Sequence, residues 1–159
     1  MSKMLAFPCL LAALGFAISS SAAPEPENGG MPLLVSEDFD DGLDRWEMTD
    51  PTAWETMDED GNKVIALTKA SDYEPPVRSP HNIARIKDLD VTDFIADFQA
   101  KQTGREYGHR DLCFFFGYQD AAHFYYVHLA TTADEHANSI FLVNGEPRVS
   151  IAAERTDGT

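Results

Sequence analysis

The stretch from His109 to Ala130, HRDLCFFFGYQDAAHFYYVHLA, decides the fold of this chain. Two aromatic-rich runs within it, Leu112 to Tyr118 and Phe124 to Leu129, flank a segment of polar and small residues. Aromatic side chains suit the pleated, half-buried surface of a sheet, and a polar segment between two such runs is typical of a hairpin turn. The sequence therefore predicts a long β-hairpin, in which we expect Gln119 to Ala122 to form a four-residue loop.

A four-residue loop also predicts which residues share a face, because side chains alternate between the two faces of a strand. One face is then almost wholly apolar and is expected to form the core; it carries Leu112, Phe114, Phe116, Tyr118, His123, Tyr125, Val127 and Leu129. The other face mixes polar and aromatic groups and is expected to be open; it carries His109, Asp111, Cys113, Phe115, Gly117, Phe124, Tyr126, His128 and Ala130. In this register Cys113 faces His128, and Asp111 is the diagonal neighbour of His128.

Short strands separated by turns are also expected on both sides of this hairpin. Val91 to Gln102 alternates strictly between apolar and polar residues, which predicts a strand with Asp97, Gln99 and Lys101 on its polar face. Asp58 to Asn62 and the Asn144-Gly145 pair predict hairpin turns. Since no helical periodicity is found beyond the N-terminal segment, the fold class is predicted to be all-β, an antiparallel β-sandwich of jelly-roll type.

The N-terminus has the three parts of a secretory signal peptide. A basic start at Lys3 is followed by an apolar run and then by small residues, so residues 1–22 are predicted to be removed on export. Residues 23–31 are rich in Pro, Gly and Glu and predict a flexible linker, and residues 32–159 are assigned to the β-sandwich domain. We therefore expect a secreted or periplasmic protein, with no membrane attachment after the signal is removed.

The charge of the chain restricts its partners. Removing residues 1–22 takes away one of 12 basic residues and none of the 27 acidic ones, so the net charge of −15 becomes −16. So acidic a chain is not expected to bind nucleic acid or an anionic membrane, because both need basic patches. Cys113 is the single cysteine left, which excludes an intramolecular disulfide, and its place in an apolar run indicates a buried thiol.

Four features, taken in order along the chain, resemble the concanavalin A-like lectin/glucanase superfamily: Glu37 to Trp46, Trp54-Glu55, Gly61 to Val64, and the paired strands around Phe116-Gly117-Tyr118 and Phe124 to Val127. Within it, the pattern is similar to secreted bacterial proteins related to the 3-keto-disaccharide hydrolase domain. The resemblance covers roughly Glu37 to Thr159. The Glu-x-Asp-x-x-Glu motif of laminarinase-type members is absent, so no catalytic residue is carried over. The closing strands of such a jelly roll are also absent, so we expect the domain to be incomplete at its C-terminus.

The mixed face of the hairpin is the predicted ligand site. Aromatic rings pack on the C–H faces of sugars, while carboxylates and imidazoles bind their hydroxyls. The residues expected to bind a saccharide are His109, Asp111, Tyr126, His128, Asp97, Gln99 and Lys101. The resemblance implies that one sheet forms the concave face that holds the saccharide.

Three classes of function remain open on the sequence. The leading prediction is a non-catalytic carbohydrate-binding or carbohydrate-associated module. The second is a glycoside-cleaving enzyme, with Asp111 orienting His128 as a general base. The third is a structural or adhesive module without a small ligand. No cofactor and no metal are expected, except that Asp38, Asp40 and Asp41 form an oxygen-rich cluster that would suit a structural calcium ion. The sequence does not predict an oligomeric state.

Overall fold

Antiparallel β-strands make up nearly all the regular structure of this chain. The computed structural model describes residues 30–106 and 111–158, so the predicted signal peptide, residues 23–29 of the linker and His109 lie outside the described residues. The chain divides into two compact units between Leu34 and Val35, and every strand lies in the second unit. No helix long and apolar enough to cross a membrane is found in the described ranges.

Within the described ranges, eight strands form three antiparallel sheets. Their bounds are β1 Trp46–Met48, β2 Trp54–Glu59, β3 Asn62–Leu67, β4 Ala84–Ile86, β5 Leu112–Asp120, β6 His123–Leu129, β7 Ser139–Asn144 and β8 Val149–Ser150. β1 pairs with β4, β2 pairs with β3, and the largest sheet has the order β5-β6-β7-β8. A 3₁₀ turn, Pro51–Ala53, joins β1 to β2, and Asp50 caps it by accepting a hydrogen bond from the Thr52 N–H. The prediction of an all-β chain is confirmed.

The turn between β2 and β3 forms where the sequence predicts it. Asp60 and Gly61 both have positive φ, 55° and 83°. This is the geometry that matches the twist of the strands in a two-residue hairpin. The Asp58 carboxylate accepts a hydrogen bond of 2.9 Å from the Gly61 N–H, which closes the turn.

The predicted hairpin exists, but its turn differs from the expected one. Cys113 pairs with His128 and Phe116 pairs with Tyr125, as predicted. Asp120 pairs with His123, so the turn has two residues, and the pairing shifts between Phe116 and Asp120. The shift is a β-bulge at Gly117 with φ of 57°, where a Cβ would lie 3.1 Å from the Tyr125 ring.

The packing of the four-stranded sheet reverses the expected faces of the hairpin. Phe124, Tyr126 and His128 are buried along β6, whereas the residues between them are less buried. Ile83 packs on this side, against a cluster that also includes Phe141 and Val143 of β7. We call this the inner face of the four-stranded sheet. The prediction that it would be the open face is wrong, because both faces of the hairpin are rich in aromatic residues and alternation alone does not say which becomes covered.

Of two further predictions, one fails for want of a partner strand, whereas the hairpin at Asn144-Gly145 is confirmed with a longer connection. Val91 to Gln102 is not a strand: residues 92–101 are exposed and no described strand pairs with them. After Asn144, Leu142 pairs with Val149, so the connection from β7 to β8 is longer than a two-residue Asn-Gly turn. Gly145 instead donates its N–H to the Ala122 carbonyl at the tip of the β5–β6 hairpin.

Candidate functional site

A contact between an aspartate and a buried histidine lies at the open end of the β5–β6 hairpin. The cross-strand pair Cys113–His128 places His128 on the inner face, with Asp111 as its diagonal neighbour. His128 Nε2 lies 2.8 Å from Asp111 Oδ2, and the two side chains are 5% and 30% exposed, respectively. The structure therefore brings together the two residues that the sequence predicted to be neighbours.

The polar atoms of this contact are incompletely satisfied. Asp111 Oδ1 and both ring nitrogens of His128 are buried without a well-formed hydrogen bond among the described residues. Nε2 is close to the carboxylate, but the approach is not that of an aligned hydrogen bond. A buried polar atom without a partner costs about 1–3 kcal/mol. A folded protein retains such atoms most readily where a ligand or ordered water completes them.

Aromatic rings enclose His128 on the inner face. The His128 ring centroid lies 6.1 Å from that of Tyr126 and 5.9 Å from that of Phe141. The Tyr126 hydroxyl pairs with the Arg148 guanidinium at 2.7 Å, and that guanidinium also lies over the Phe141 ring. Burial raises the pKa of Tyr126 to about 12, although the charge of Arg148 opposes the increase. Tyr126 has no exposed surface, so the expectation of an open ring for sugar stacking is wrong.

Hydroxyl groups continue this polar end of the inner face onto β7 and β8. Ser139 lies opposite His128 and is buried, and its hydroxyl is 2.6 Å from that of Ser150. The Ser150 hydroxyl also accepts a hydrogen bond from Arg155 at 2.8 Å. No sequence pattern indicates these three residues, because Ser139 and Ser150 meet only through the pairing of β7 with β8.

Cys113 lies beside the Asp111–His128 pair, but its thiol is not activated by that pair. Burial and, to a smaller extent, the neighbouring Asp111 carboxylate raise the pKa of the thiol to about 12, while Arg148 opposes both effects. The thiolate is the reactive form of cysteine, so a thiol with this pKa is a poor nucleophile at neutral pH. The structure agrees with the interpretation of Cys113 as a packed thiol.

The other predicted ligand residues lie elsewhere. Asp97, Gln99 and Lys101 are exposed, and the Lys101 ammonium group contacts the Glu59 carboxylate at the end of β2. The neighbouring residue that does reach the site is Gln102, whose side-chain amide donates to the Asp111 carbonyl. Sequence alternation missed Gln102 because the segment is not a strand. Saccharide binding by Asp97, Gln99 and Lys101 stays a prediction, as does binding by His109, which lies outside the described residues.

The acidic segment before β1 is occupied by local contacts. Asp38 accepts a hydrogen bond from the Asp40 N–H at 3.0 Å, and Asp40 pairs with Lys63 at 3.2 Å. The Glu37 carboxylate binds the Trp46 indole N–H at 3.1 Å. Within residues 30–106 and 111–158, no group of three or more His, Cys, Asp or Glu side chains is arranged to hold a metal ion. No described contact of Asp41 adds a ligand set for calcium.

A small cavity of about 60 Å³ lies at the other end of the inner face, lined by Glu47, Met48, Thr49, Ile83, Arg85 and Tyr118. The Arg85 guanidinium lies 4.6 Å from the Tyr118 ring centroid and pairs with Glu47 at 2.7 Å. Its cation is therefore already matched by a carboxylate, and the space holds little more than water.

Comparisons with protein-family models, with curated proteins and with solved structures found no match to this chain. The resemblance to the concanavalin A-like superfamily therefore stays a prediction from the sequence. The candidate site rests on its own geometry: a partly exposed carboxylate in contact with a buried imidazole, whose polar atoms lack partners among the described residues and whose walls are aromatic.

Proposed function

We propose that this chain is an exported, jelly-roll β-sandwich module that binds a saccharide at the Asp111–His128 end of the four-stranded sheet. The observation that carries the proposal is the unsatisfied hydrogen-bonding capacity of Asp111 Oδ1 and the two His128 ring nitrogens. A sugar hydroxyl both donates and accepts hydrogen bonds, so it matches a carboxylate oxygen and an imidazole nitrogen equally well.

Access and surroundings support this ligand class. The Asp111 side chain is 30% exposed, so a ligand can approach it from solvent, whereas His128 is 5% exposed. The stacked rings of Tyr126 and Phe141 lie beside His128, and apolar surroundings of this kind strengthen each polar contact made there. A net charge of −15 favours a neutral or cationic ligand over an anionic one.

Binding to a panel of neutral and amino-substituted glycans, followed by calorimetry on the best one, tests the proposal. Asp111→Asn preserves the shape of the side chain but removes its charge, and is expected to weaken binding about 10- to 100-fold, since a hydrogen bond to a charged group contributes about 1.5–3 kcal/mol. The matched control is Asp120→Asn, which alters a second aspartate–histidine contact at the hairpin turn and should leave affinity unchanged. No binding to any glycan, or equal losses in both variants, would contradict the proposal.

One observation favours an alternative, glycoside cleavage. A carboxylate 2.8 Å from an imidazole nitrogen needs only a change in the angle of approach to orient that ring as a general base. If the module cleaves its ligand, product appears with the wild-type chain, and His128→Gln and Asp111→Asn each abolish it. Glycan binding without product, measured by chromatography of the incubated glycan, assigns the site to binding alone.

A further inference from the structure

Residues 91–102 lie beside β5 without pairing to it, and we call this segment the strap. Its residues 92–101 are exposed, and no described strand pairs with them. β5 has nine residues and pairs with β6 along one edge, while its other edge has no described strand partner. An unpaired edge of a sheet readily adds a further strand, because its backbone N–H and C=O groups are still available.

Three contacts already join the strap to β5. The Phe98 ring stacks on Phe114 with centroids 5.3 Å apart and planes inclined by 9°, and Phe94 lies 6.3 Å from the same ring. The side-chain amide of Gln102 donates a hydrogen bond to the Asp111 carbonyl, next to the start of β5. The strap is therefore in contact with β5 although no strand pairing joins the two.

The second half of the strap has the sequence pattern of a strand. Apolar and polar side chains alternate through it: Ala96, Asp97, Phe98, Gln99, Ala100 and Lys101. Alternate side chains of a strand point to opposite faces of its sheet. Phe114 pairs with Val127, a residue of β6 that faces away from the inner face. Because Phe98 stacks on Phe114, a paired strap has its apolar side chains on that side and its polar ones on the inner face.

The connection between the strap and β5 fixes their relative direction. Eight residues, 103–110, join Gln102 to Asp111 in the sequence. Parallel neighbours need a crossover of about a dozen residues or more, whereas antiparallel neighbours can be joined by a short hairpin connection. The strap can therefore pair with β5 only in the antiparallel direction.

The stacked rings fix the register of this pairing. In an antiparallel pair, each step forward along one strand is a step back along the other. When the two stacked rings belong to opposite residues, the closed register pairs Phe98 with Phe114, Gln99 with Cys113 and Lys101 with Asp111.

Lys101 exchanges one carboxylate for another in this register. In the structure its ammonium group contacts Glu59 at the end of β2, and the two side chains are 67% and 40% exposed. Exposed ion pairs contribute little to stability, so this contact holds the strap only weakly. In the closed register the ammonium group meets Asp111, whose Oδ1 is buried without a hydrogen-bond partner among the described residues. Supplying that missing partner favours the closed form.

We propose that the strap closes as an antiparallel strand on the edge of β5 that has no described partner, in the register set by the stacked rings. Closure adds Asp97, Gln99 and Lys101 to the inner face beside Asp111. These are residues that the sequence predicts for the same ligand site, so closure is the step that assembles them. Its bearing on glycan binding rests on the proposed function, whereas closure itself does not.

A disulfide between the strap and β5 tests closure without any ligand. In a Cys9→Ser background of the full chain, Gln99→Cys places a thiol opposite Cys113 in the closed register. Opposite residues of an antiparallel pair have Cα atoms about 4.5–5.5 Å apart, which a disulfide can span. Equilibration in glutathione buffer, followed by mass spectrometry, gives the effective concentration of the two thiols. Equilibrium is measured because the buried Cys113 thiol reacts slowly.

Ala100→Cys in the same background is the matched control. Its thiol is one residue further along the strap and on the other face when the strap is paired. Its effective concentration with Cys113 is expected to be at least about tenfold lower than that of Gln99→Cys, because the two Cβ atoms then point apart. Equal values for the two variants, or a higher value for Asp97→Cys than for Gln99→Cys, would overturn the proposed pairing.

The exchange of partners by Lys101 has its own test in the Gln99→Cys chain. Glu59→Gln removes the carboxylate that Lys101 contacts while the strap is open, so it should raise the effective concentration about two- to fivefold. Glu55→Gln, at an exposed position on the same strand, is the control and should leave the value unchanged. Equal effects of the two substitutions would contradict the exchange.

Hydrogen exchange of the wild-type chain, followed by NMR, measures closure without a substitution. In an antiparallel pair every second residue of the strap donates its N–H to β5, so alternate amides from residue 96 to residue 102 should exchange more slowly than their neighbours. Aromatic stacking alone does not produce this alternation. A strap in which every amide exchanges at the rate of an unfolded chain would overturn the proposal.

Discussion

The two ends of the β5–β6 hairpin carry the same pair of residue types in contact, with opposite consequences. At the turn, His123 Nδ1 lies 2.8 Å from Asp120 Oδ1, and the side chains are 42% and 60% exposed. At the open end, His128 Nε2 lies 2.8 Å from Asp111 Oδ2, and the side chains are 5% and 30% exposed. The distance is the same, so the surroundings alone separate the two contacts.

The pair at the turn is satisfied locally. Asp120 Oδ1 also accepts a hydrogen bond of 2.7 Å from the Ala122 N–H, and solvent completes the rest. The pair at the open end has buried polar atoms with no well-formed partner among the described residues. A contact that closes a turn needs nothing more, whereas a buried contact with spare hydrogen-bonding capacity is open to a ligand. The two contacts contain the same residue types. What distinguishes a structural pair from a candidate site is therefore the solvent exposure of its side chains and whether its polar atoms have hydrogen-bond partners.

The largest expected effect is on thiol reactivity at the buried end. In a Cys9→Ser background, Cys113 should react with iodoacetamide at pH 8 about a thousandfold more slowly than an ordinary thiol, because its pKa is raised from 9.0 to about 12. Cys113→Ser combined with Gln119→Cys places a thiol at an exposed position near the turn as the reference. Mass spectrometry gives both rates. Rates within tenfold of each other would show that the open end is not buried in solution.

The next effect is on stability. Replacing a buried ion pair by apolar residues is often neutral or stabilising, by about 1–4 kcal/mol. The Asp111–His128 contact is a buried polar pair, and replacing both partners of such a pair by apolar groups is nearly neutral or stabilising. We therefore expect Asp111→Leu with His128→Leu to leave the stability of the fold unchanged or to raise it by about 1 kcal/mol, and to abolish glycan binding. His128→Leu alone should destabilise the fold, since it leaves the Asp111 carboxylate beside an apolar side chain. Urea unfolding measures both.

The matched replacement at the turn, Asp120→Leu with His123→Leu, should cause a small loss of stability and leave binding intact. It removes the hydrogen bond to Ala122 without relieving any buried charge. A double variant at the open end that unfolds at lower urea concentration than His128→Leu alone would contradict the comparison.

The smallest effect is the pH dependence at the turn. The Ala122 N–H, and then the His123 side chain, hold the pKa of Asp120 below its ordinary value of 3.8. A carboxylate with a lowered pKa adds stability above 3.8, and this is lost as the pH falls through the folded-state pKa. Asp120→Asn should therefore lower the melting temperature slightly near neutral pH, and the difference from wild type should disappear in acid. A difference that stays constant from pH 7 to pH 2 would contradict this account.

Much of the hairpin could be predicted from local pattern, and the candidate pair followed from it. The register from Leu112–Leu129 to Phe116–Tyr125 is as predicted, so Cys113 lies opposite His128 and Asp111 is beside it. The turn length was wrong because Gly117 adopts a positive φ and absorbs extra residues in a bulge. Composition does not distinguish a glycine in a regular strand from one in a bulge.

What the sequence by itself determined is local: the all-β class, the Asp60-Gly61 turn, the pairing of β5 with β6 and the acidic charge. Only the tertiary structure decided which face of the hairpin became the core and whether residues 91–102 found a partner strand. The physical reason is that alternation sorts side chains into two faces. When both faces are aromatic, alternation does not predict which of them becomes buried. Phe124 and Tyr126 are buried in one cluster with Ile83, a residue distant in sequence that packs on this face.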